Sequence, residues 1–205
     1  IIGDLSDVRT SITNVVFSTD GRLVAFGGQE STTTIWDLQR RQTFATLRGQ
    51  ENGISDIAFS PDGQIILTGS VDGTARAWGL FAPNGVQLVL SHKTGVTNAI
   101  WDKTGTLIAS GSESDEALVH DMNGKLIATL EDKGRVSGLS FSTDGKRLLV
   151  ARYDNGGAHI WDVNSGTRLV TIKGTREPLE VLEAADFSPD ERLVLAQVGP
   201  VIHRA

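Results

Sequence analysis

Two sets of landmarks recur along this chain with one period. An aromatic residue closes a short apolar run at Phe17, Phe59, Trp101, Phe141 and Phe187, and a second anchor follows 19 or 20 residues later at Trp36, Trp78, His120 and Trp161. Successive anchors of either kind lie 40 to 46 residues apart. Two independent landmarks sharing a period of about 40–45 residues mark a repeat architecture, in which each unit buries its apolar face only against its neighbours. An ordinary mixed domain is thereby excluded.

One repeat shows the local grammar. Residues 54–60 form an apolar run fit for a buried strand. Pro61-Asp62-Gly63 turns the chain, because Pro presets φ, Asp bonds its own backbone and Gly accepts the left-handed conformation. Residues 64–70 carry Ile65, Ile66 and Leu67 and end in the small pair Gly69-Ser70. Asp72-Gly73 is a tight hairpin signal, 74–78 is a third strand ending on Trp78, and Asn84-Gly85 leads into a fourth over 86–90. The first turn recurs as Thr19-Asp20-Gly21, Lys103-Thr104-Gly105, Thr143-Asp144-Gly145 and Pro189-Asp190-Glu191. This punctuation uses many of the 23 glycines and leaves no stretch long enough for a useful helix.

Phe59-Ser60-Pro61-Asp62-Gly63 and its relatives, together with Trp36-Asp37, Trp161-Asp162 and the variant Trp78-Gly79, resemble the WD-repeat β-propellers over essentially the whole chain. The resemblance implies an all-β fold of four-stranded antiparallel blades, with each first strand lining a central channel and each fourth strand at the rim. It also implies structural roles for Trp36, Trp78, His120, Trp161 and Asp72. The Gly-His pair of the family is replaced by Gly49-Gln50, Ser91-His92 and Glu131-Asp132. The turn aspartate is present as Asp72 but is Glu30, Ser114 and Asn155 elsewhere, so the bracing network of the blades is incomplete.

The expected organisation is a single domain over 1–205: an orphan fourth strand at 1–5, complete blades at 12–47, 54–90, 96–130 and 136–172, and an incomplete blade at 181–205. That is about 4.75 blades, and blades of this length suit a seven-bladed ring of roughly 290 residues. The sole methionine is Met122, and the chain is expected to be a segment of a larger ring. A closed five-blade ring and a ring shared between chains are the alternatives. An unclosed ring exposes an apolar face and unpaired strand edges, so self-association follows if the ring is not closed within one chain.

Chemistry is excluded step by step. The net charge of -6 is spread without a basic stripe, which argues against nucleic acid. The apolar runs are too short for a membrane span or signal peptide. Cysteine is absent, removing thiolates, disulfides and sulfur-ligated metals, and an intracellular location is the expectation. His120 occupies a Trp slot and should pack. His159 and His203 do not converge on a metal, because strand faces alternate with period two, and His92 at a blade-entry loop braces or is solvated. Gly111-Ser112-Glu113-Ser114-Asp115 and Gly69-Ser70-Val71-Asp72-Gly73 look like nucleophile motifs, but both occupy hairpins that no helix follows. Asp154-Asn155-Gly156-Gly157 lacks the spaced carboxylates of a calcium loop. Trp36, Trp78 and Trp161 repeat at one slot and should pack, and Trp101, in a strand Phe slot, should be inside. No catalytic, cofactor or metal residue is therefore assigned, and no cofactor is expected.

The expected function is a non-catalytic protein–protein interaction scaffold that presents loops on one face of a propeller. The alternative is a sensory or autoinhibitory module of a larger signalling chain carrying an ATPase, kinase or protease. A propeller lid of a peptidase-like enzyme ranks lower. The candidate contact residues are Arg48, Gln50, His92, Lys93, Arg135, Arg176, Glu177 and Leu179 from the fourth-to-first-strand loops. Glu30, Val71, Glu113, Asp115, Arg152 and Asp154 come from the second-to-third-strand turns. Residues 173–180 form an enlarged junction that accounts for the 46-residue spacing. The identity of the protein partner is not legible.

Overall fold

Short apolar runs between tight turns build strands and nothing longer. The computed structural model describes residues 11–81, 86–153, 157–173 and 180–200, and every regular element in them is a strand. β1 (Ile12–Phe17), β2 (Leu23–Gly28), β3 (Thr33–Asp37) and β4 (Gln42–Leu47) form one antiparallel sheet in chain order. β5 (Ile54–Phe59), β6 (Ile65–Ser70), β7 (Thr74–Gly79) and β8 (Val86–Ser91) form a second. β9 (Val96–Trp101), β10 (Leu107–Ser112), β11 (Glu116–Asp121) and β12 (Leu126–Glu131) form a third. β13 (Val136–Phe141), β14 (Arg147–Arg152), β15 (Gly157–Asp162) and β16 (Arg168–Ile172) form a fourth, and β17 (Glu180–Phe187) pairs with β18 (Val194–Pro200). No helix among the described residues is long and apolar enough to cross a membrane.

The chain divides into two compact units between Ala99 and Ile100. In the first, Leu23, Ala25 and Ile35 of the first sheet pack on Ile54, Ile57, Ile66 and Trp78 of the second. In the second, Ala109, Ala117 and Val119 pack on Val136, Phe141, Leu148, Val150 and Trp161, and Leu149, Ala151, Ala158 and Ile160 pack on Leu182 and Ala185. Within each unit one sheet thus offers its trailing face to the leading face of the next. A small residue near the end of the second strand (Gly27, Gly69, Gly111, Ala151) sets the spacing in the four-stranded sheets. A Cβ on Gly69 would lie 2.9 Å from Val96 Cγ1, and one on Gly111 would lie 2.4 Å from Val136 Cγ1. Close sheet contact, rather than a turn, explains these glycines.

The innermost strands carry a repeated irregularity. The register shifts between Ile12 and Asn14, Ile54 and Asp56, Val136 and Gly138, and Leu182 and Ala184. Such a bulge re-aims side chains, and here they stitch one sheet to the next. Thr13 Oγ1 donates to Ile54 O at 3.2 Å, Ser55 Oγ donates to Val96 O at 2.6 Å, and Asn14 Nδ2 donates to Ser55 O at 2.6 Å. Asp56 Oδ2 accepts from Ala99 N at 2.9 Å.

The expected burial of Trp36 and Trp101 needs correction, and the Phe slots also differ. Phe17 is 63% exposed, since no sheet covers the leading face of β1 among the described residues. Trp36, in the same sheet, and Trp101 are half-buried, whereas Trp78, Phe141 and Trp161 are buried.

Candidate interaction face

Strand parity fixes which loops share an end. In an up-and-down sheet the second-to-third-strand turn and the fourth-to-first-strand loop leave at one end, and the other two turns leave at the opposite end. Hydrogen bonds tie the first pair together. Asp72 Oδ2 accepts from Glu51 N at 2.8 Å, Gly73 O accepts from His92 N at 2.8 Å, and Asp115 Oδ1 accepts from Gly134 N at 2.9 Å. Although burial opposes it, the bonds from Thr74 and Glu51 hold the Asp72 carboxyl below its ordinary range.

Beneath this end lies the bracing of the second sheet. Trp78 Nε1 donates to Thr68 Oγ1 at 2.8 Å, both buried. Gln50, standing where the family has histidine, is 6% exposed and directs Nε2 to Thr68 O at 3.5 Å. Gln50 is therefore part of the framework, and its assignment as a contact residue is corrected. Arg152 is corrected for the same reason. At 1% exposed it is the largest fully buried side chain among the described residues. Its Nη1 donates to Gly134 O at 2.8 Å and its Nη2 to Leu130 O at 3.2 Å. Ser70, its counterpart in the second sheet, donates from Oγ to Asn52 O, the counterpart of Gly134 O. Arg152 extends a tie that a serine makes elsewhere.

Arg48, Glu30, Val71, Lys93, Glu113, Asp115 and Arg135 lie at the corresponding ends of their own sheets and are exposed, and His92 is half-buried. Arg135 stacks its guanidinium over the Tyr153 ring at 5.9 Å, a cation–π pair that holds an aromatic at the same end. Asp154, Arg176, Glu177 and Leu179 lie outside the described residues, as do His203, residues 1–5 and most of the enlarged junction. His120 is 8% exposed, and burial pushes its imidazole below the ordinary value, so it packs as a neutral group.

One cluster escaped the sequence reading. Asp132, in the Gly-His slot of the fourth blade, accepts from His159 Nε2 at 2.8 Å and from Arg168 Nη1 at 2.9 Å. His159 Nδ1 lies 3.2 Å from Thr171 Oγ1, and Arg168 stacks over Trp161 at 5.9 Å. Burial lowers the His159 pKa, partly offset by Asp132. The available signal was the aspartate in a histidine's slot, which calls for a cationic or donor partner on the neighbouring third strand. Among the described residues no group of three or more His, Asp or Glu is placed to hold a metal.

At the opposite end the Trp-Asp aspartates cap turns. Asp37 is 1% exposed, accepts from Gln39 N and Arg40 N, and pairs with Arg40 at 2.9 Å and Arg22 at 3.3 Å. The Arg40 backbone N–H, helped by the Arg40 and Arg22 guanidinium groups, holds its carboxyl down to about 2. Asp121 and Asp162 accept backbone N–H groups in the equivalent turns.

Residues 5–37 and 41–79 match the family described as WD domain, G-beta repeat. Residues 99–184 match the anaphase-promoting complex subunit 4 WD40 domain family. A search of curated proteins gives no match. WD-repeat domains generally mediate protein–protein interaction, are typically non-catalytic and are mostly intracellular. With Trp-Asp caps, four-stranded blades and family matches to both halves of the sequence, the chain belongs to the WD-repeat β-propeller family.

Proposed function

We propose that this chain is a non-catalytic scaffold whose protein partner seats on the end of the blades bearing the second-to-third-strand turns and fourth-to-first-strand loops. One contrast carries the reading. One buried tie, from the end of the second strand to the loop that enters the same blade, is made by Ser70 in the second blade and again by Arg152 in the fourth, while exposed side chains above it change between repeats. In the turns Val71 is apolar where Glu30, Glu113 and Asp115 are acidic, and in the loops Arg48, Lys93 and Arg135 are all cationic. A rigid support under variable loops is the arrangement by which repeat scaffolds gain specificity. The net charge of -6 favours protein over nucleic acid. An intracellular partner and a seven-bladed ring complete the proposal.

The test uses a partner captured from native lysate, purified, and titrated against variants of the chain. Glu30→Lys, Val71→Asp and Glu113→Lys should each weaken binding by about tenfold or more without changing the melting curve, as at interface anchors. Lys125→Glu and Lys146→Glu, at the opposite end, should leave affinity unchanged. Loss of binding confined to the second pair would refute the assigned face.

A further inference from the structure

The chain carries the pairs Asn52-Gly53, Asn84-Gly85, Asn123-Gly124 and Asn155-Gly156. In an Asn-Gly pair the next backbone nitrogen can approach the side-chain amide freely, because glycine has no Cβ to obstruct it. Asn84-Gly85 and Asn155-Gly156 lie outside the described residues. Asn52 and Asn123 are both exposed, but the nitrogens that follow them differ. In the turn between β11 and β12, Gly124 N donates to Asp121 O at 3.0 Å, and Gly124 is held at φ 79°. In the loop entering the second blade, Gly53 N donates to Asn52 Oδ1 itself at 2.8 Å. One C=O bond separates Oδ1 from Cγ, so the Gly53 nitrogen stands within about 4 Å of the carbon it would attack. Close packing requires glycine here, since a Cβ on Gly53 would lie 3.1 Å from Gly28 O and 3.3 Å from Gln29 O. The same slot holds Thr94-Gly95 in the third blade and Gly134-Arg135 in the fourth.

We propose that Asn52-Gly53 is a site of spontaneous deamidation, with water as the co-reactant. Gly53 N loses its proton to solvent base and attacks Asn52 Cγ. The new N–Cγ bond closes a succinimide ring as the Cγ–Nδ2 bond breaks, and Nδ2 leaves with a proton as ammonia. Water then opens the ring. Cleavage at Cγ gives aspartate, and cleavage at the Asn52 main-chain carbonyl carbon gives isoaspartate, whose backbone runs through Cβ and Cγ. Nothing is oxidised or reduced. Isoaspartate lengthens the main chain by a carbon at a place held by several bonds. Asn52 O accepts from Ser70 Oγ at 3.1 Å, Gly53 O accepts from Val71 N at 3.0 Å, and Glu51 N donates to Asp72 Oδ2 at 2.8 Å. In isoaspartate that Asn52 carbonyl becomes a free carboxylate, so the loop loses its register against the turn and gains a negative charge beside Glu51. Val71 belongs to the face proposed for the partner, so an effect on binding rests on that reading, whereas the modification does not.

Incubation of the 205-residue chain at neutral and at mildly alkaline pH, followed by tryptic mass mapping, tests this. Cleavage after Arg48 and Arg76, and after Lys103 and Lys125, puts Asn52 and Asn123 on separate peptides that each hold a single asparagine. The peptide of residues 49–76 should gain the mass of an amide-to-acid exchange, localised by fragmentation to position 52. The gain should be faster at the higher pH and run several-fold ahead of that in the peptide of residues 104–125. In chain unfolded by urea the two should convert at similar rates, because the contact that separates them is gone. The isoaspartate form, isolated by ion exchange, should accept methyl groups from an isoaspartyl methyltransferase and lose hydrogen-exchange protection at the Val71 amide. Asn52→Ser, a change at an exposed side chain, should keep both its mass and its Val71 protection through the same incubation. Native chain in which Asn52 outlasts or merely matches Asn123 overturns the proposal, as does Val71 protection that falls equally in Asn52→Ser.

Discussion

Thr104 Oγ1 donates to Asp102, reversing the direction of the bond between Ser60 Oγ and Asp62 Oδ1 at the same two positions of the second blade. Where the second blade has a serine donor followed by an aspartate acceptor, the third has the acceptor first. Ser60 Oγ accepts from Ile65 N, and Asp102 Oδ1 accepts from Leu107 N at 2.8 Å, so the strand behind is held either way. Ser18, Ser142 and Ser188 follow the second blade.

The pair should therefore behave as a unit. Thr104→Asp alone sets two carboxylates side by side and should destabilise the chain by about 1–3 kcal/mol. Adding Asp102→Ser restores the common arrangement and should recover most of that loss in urea denaturation. Simple additivity of the two substitutions would mean that they are not coupled.

The Trp slot of the second blade is structural. Trp78→Ala should cost about 3–5 kcal/mol, as for emptying a buried aromatic site. Thr68→Val should cost about 1–3 kcal/mol by leaving the indole N–H buried without an acceptor. A folded Trp78→Ala protein of parental stability that had lost only partner binding would move Trp78 from the framework to the contact surface.

Two aspartates give opposite pH signatures. The Asp56 carboxyl is raised to about 6, chiefly by burial, against the bonds from Ala99 N and Ile57 N. A carboxyl whose folded pKa is raised contributes its stability fully below the ordinary 3.8 and loses it as pH climbs through about 6. The parent should thus weaken relative to Asp56→Asn over that window, by on the order of 3 kcal/mol. The Asp37 carboxyl is depressed to about 2, so its contribution is present above 3.8 and fades as pH falls toward 2. The deficit of Asp37→Asn should accordingly shrink on acidification. Chemical denaturation at stepped pH reads both, and parallel slopes for parent and variants would dismiss the assigned environments.

Glu191 holds a left-handed φ of 57° where Gly63 has 69°. Its carboxylate compensates by accepting from Thr143 N and pairing with Arg147. Glu191→Gly should trade strain for lost bonds and change little, while Glu191→Ala keeps the strain, loses the bonds and should melt earlier than both. Equal melting of Glu191→Ala and the parent would show that the compensation is absent.

The blade grammar was legible because turns and strand faces are local. Pro61-Asp62-Gly63 and Asp72-Gly73 mark turns by residue chemistry alone, and the strands between them fall where those turns leave room. What depended on neighbouring sheets was not legible. Gln50 and Arg152 read as loop polar groups, yet a carbonyl from elsewhere in the chain draws each inward. The His159–Asp132–Arg168 cluster joins three elements whose spacing carries no periodic signal. Phe17 matches the buried Phe141 in sequence, and only the presence of a covering sheet distinguishes them.

The assignment of one end of the blades to partner binding is tested most directly by site-specific photo-crosslinking. A photoreactive side chain is placed in turn at Val71, Glu113, Lys125 and Lys146, and the chain is irradiated with its purified partner. The account predicts partner adducts from positions 71 and 113 and none from 125 or 146. Adducts confined to positions 125 and 146 would contradict it.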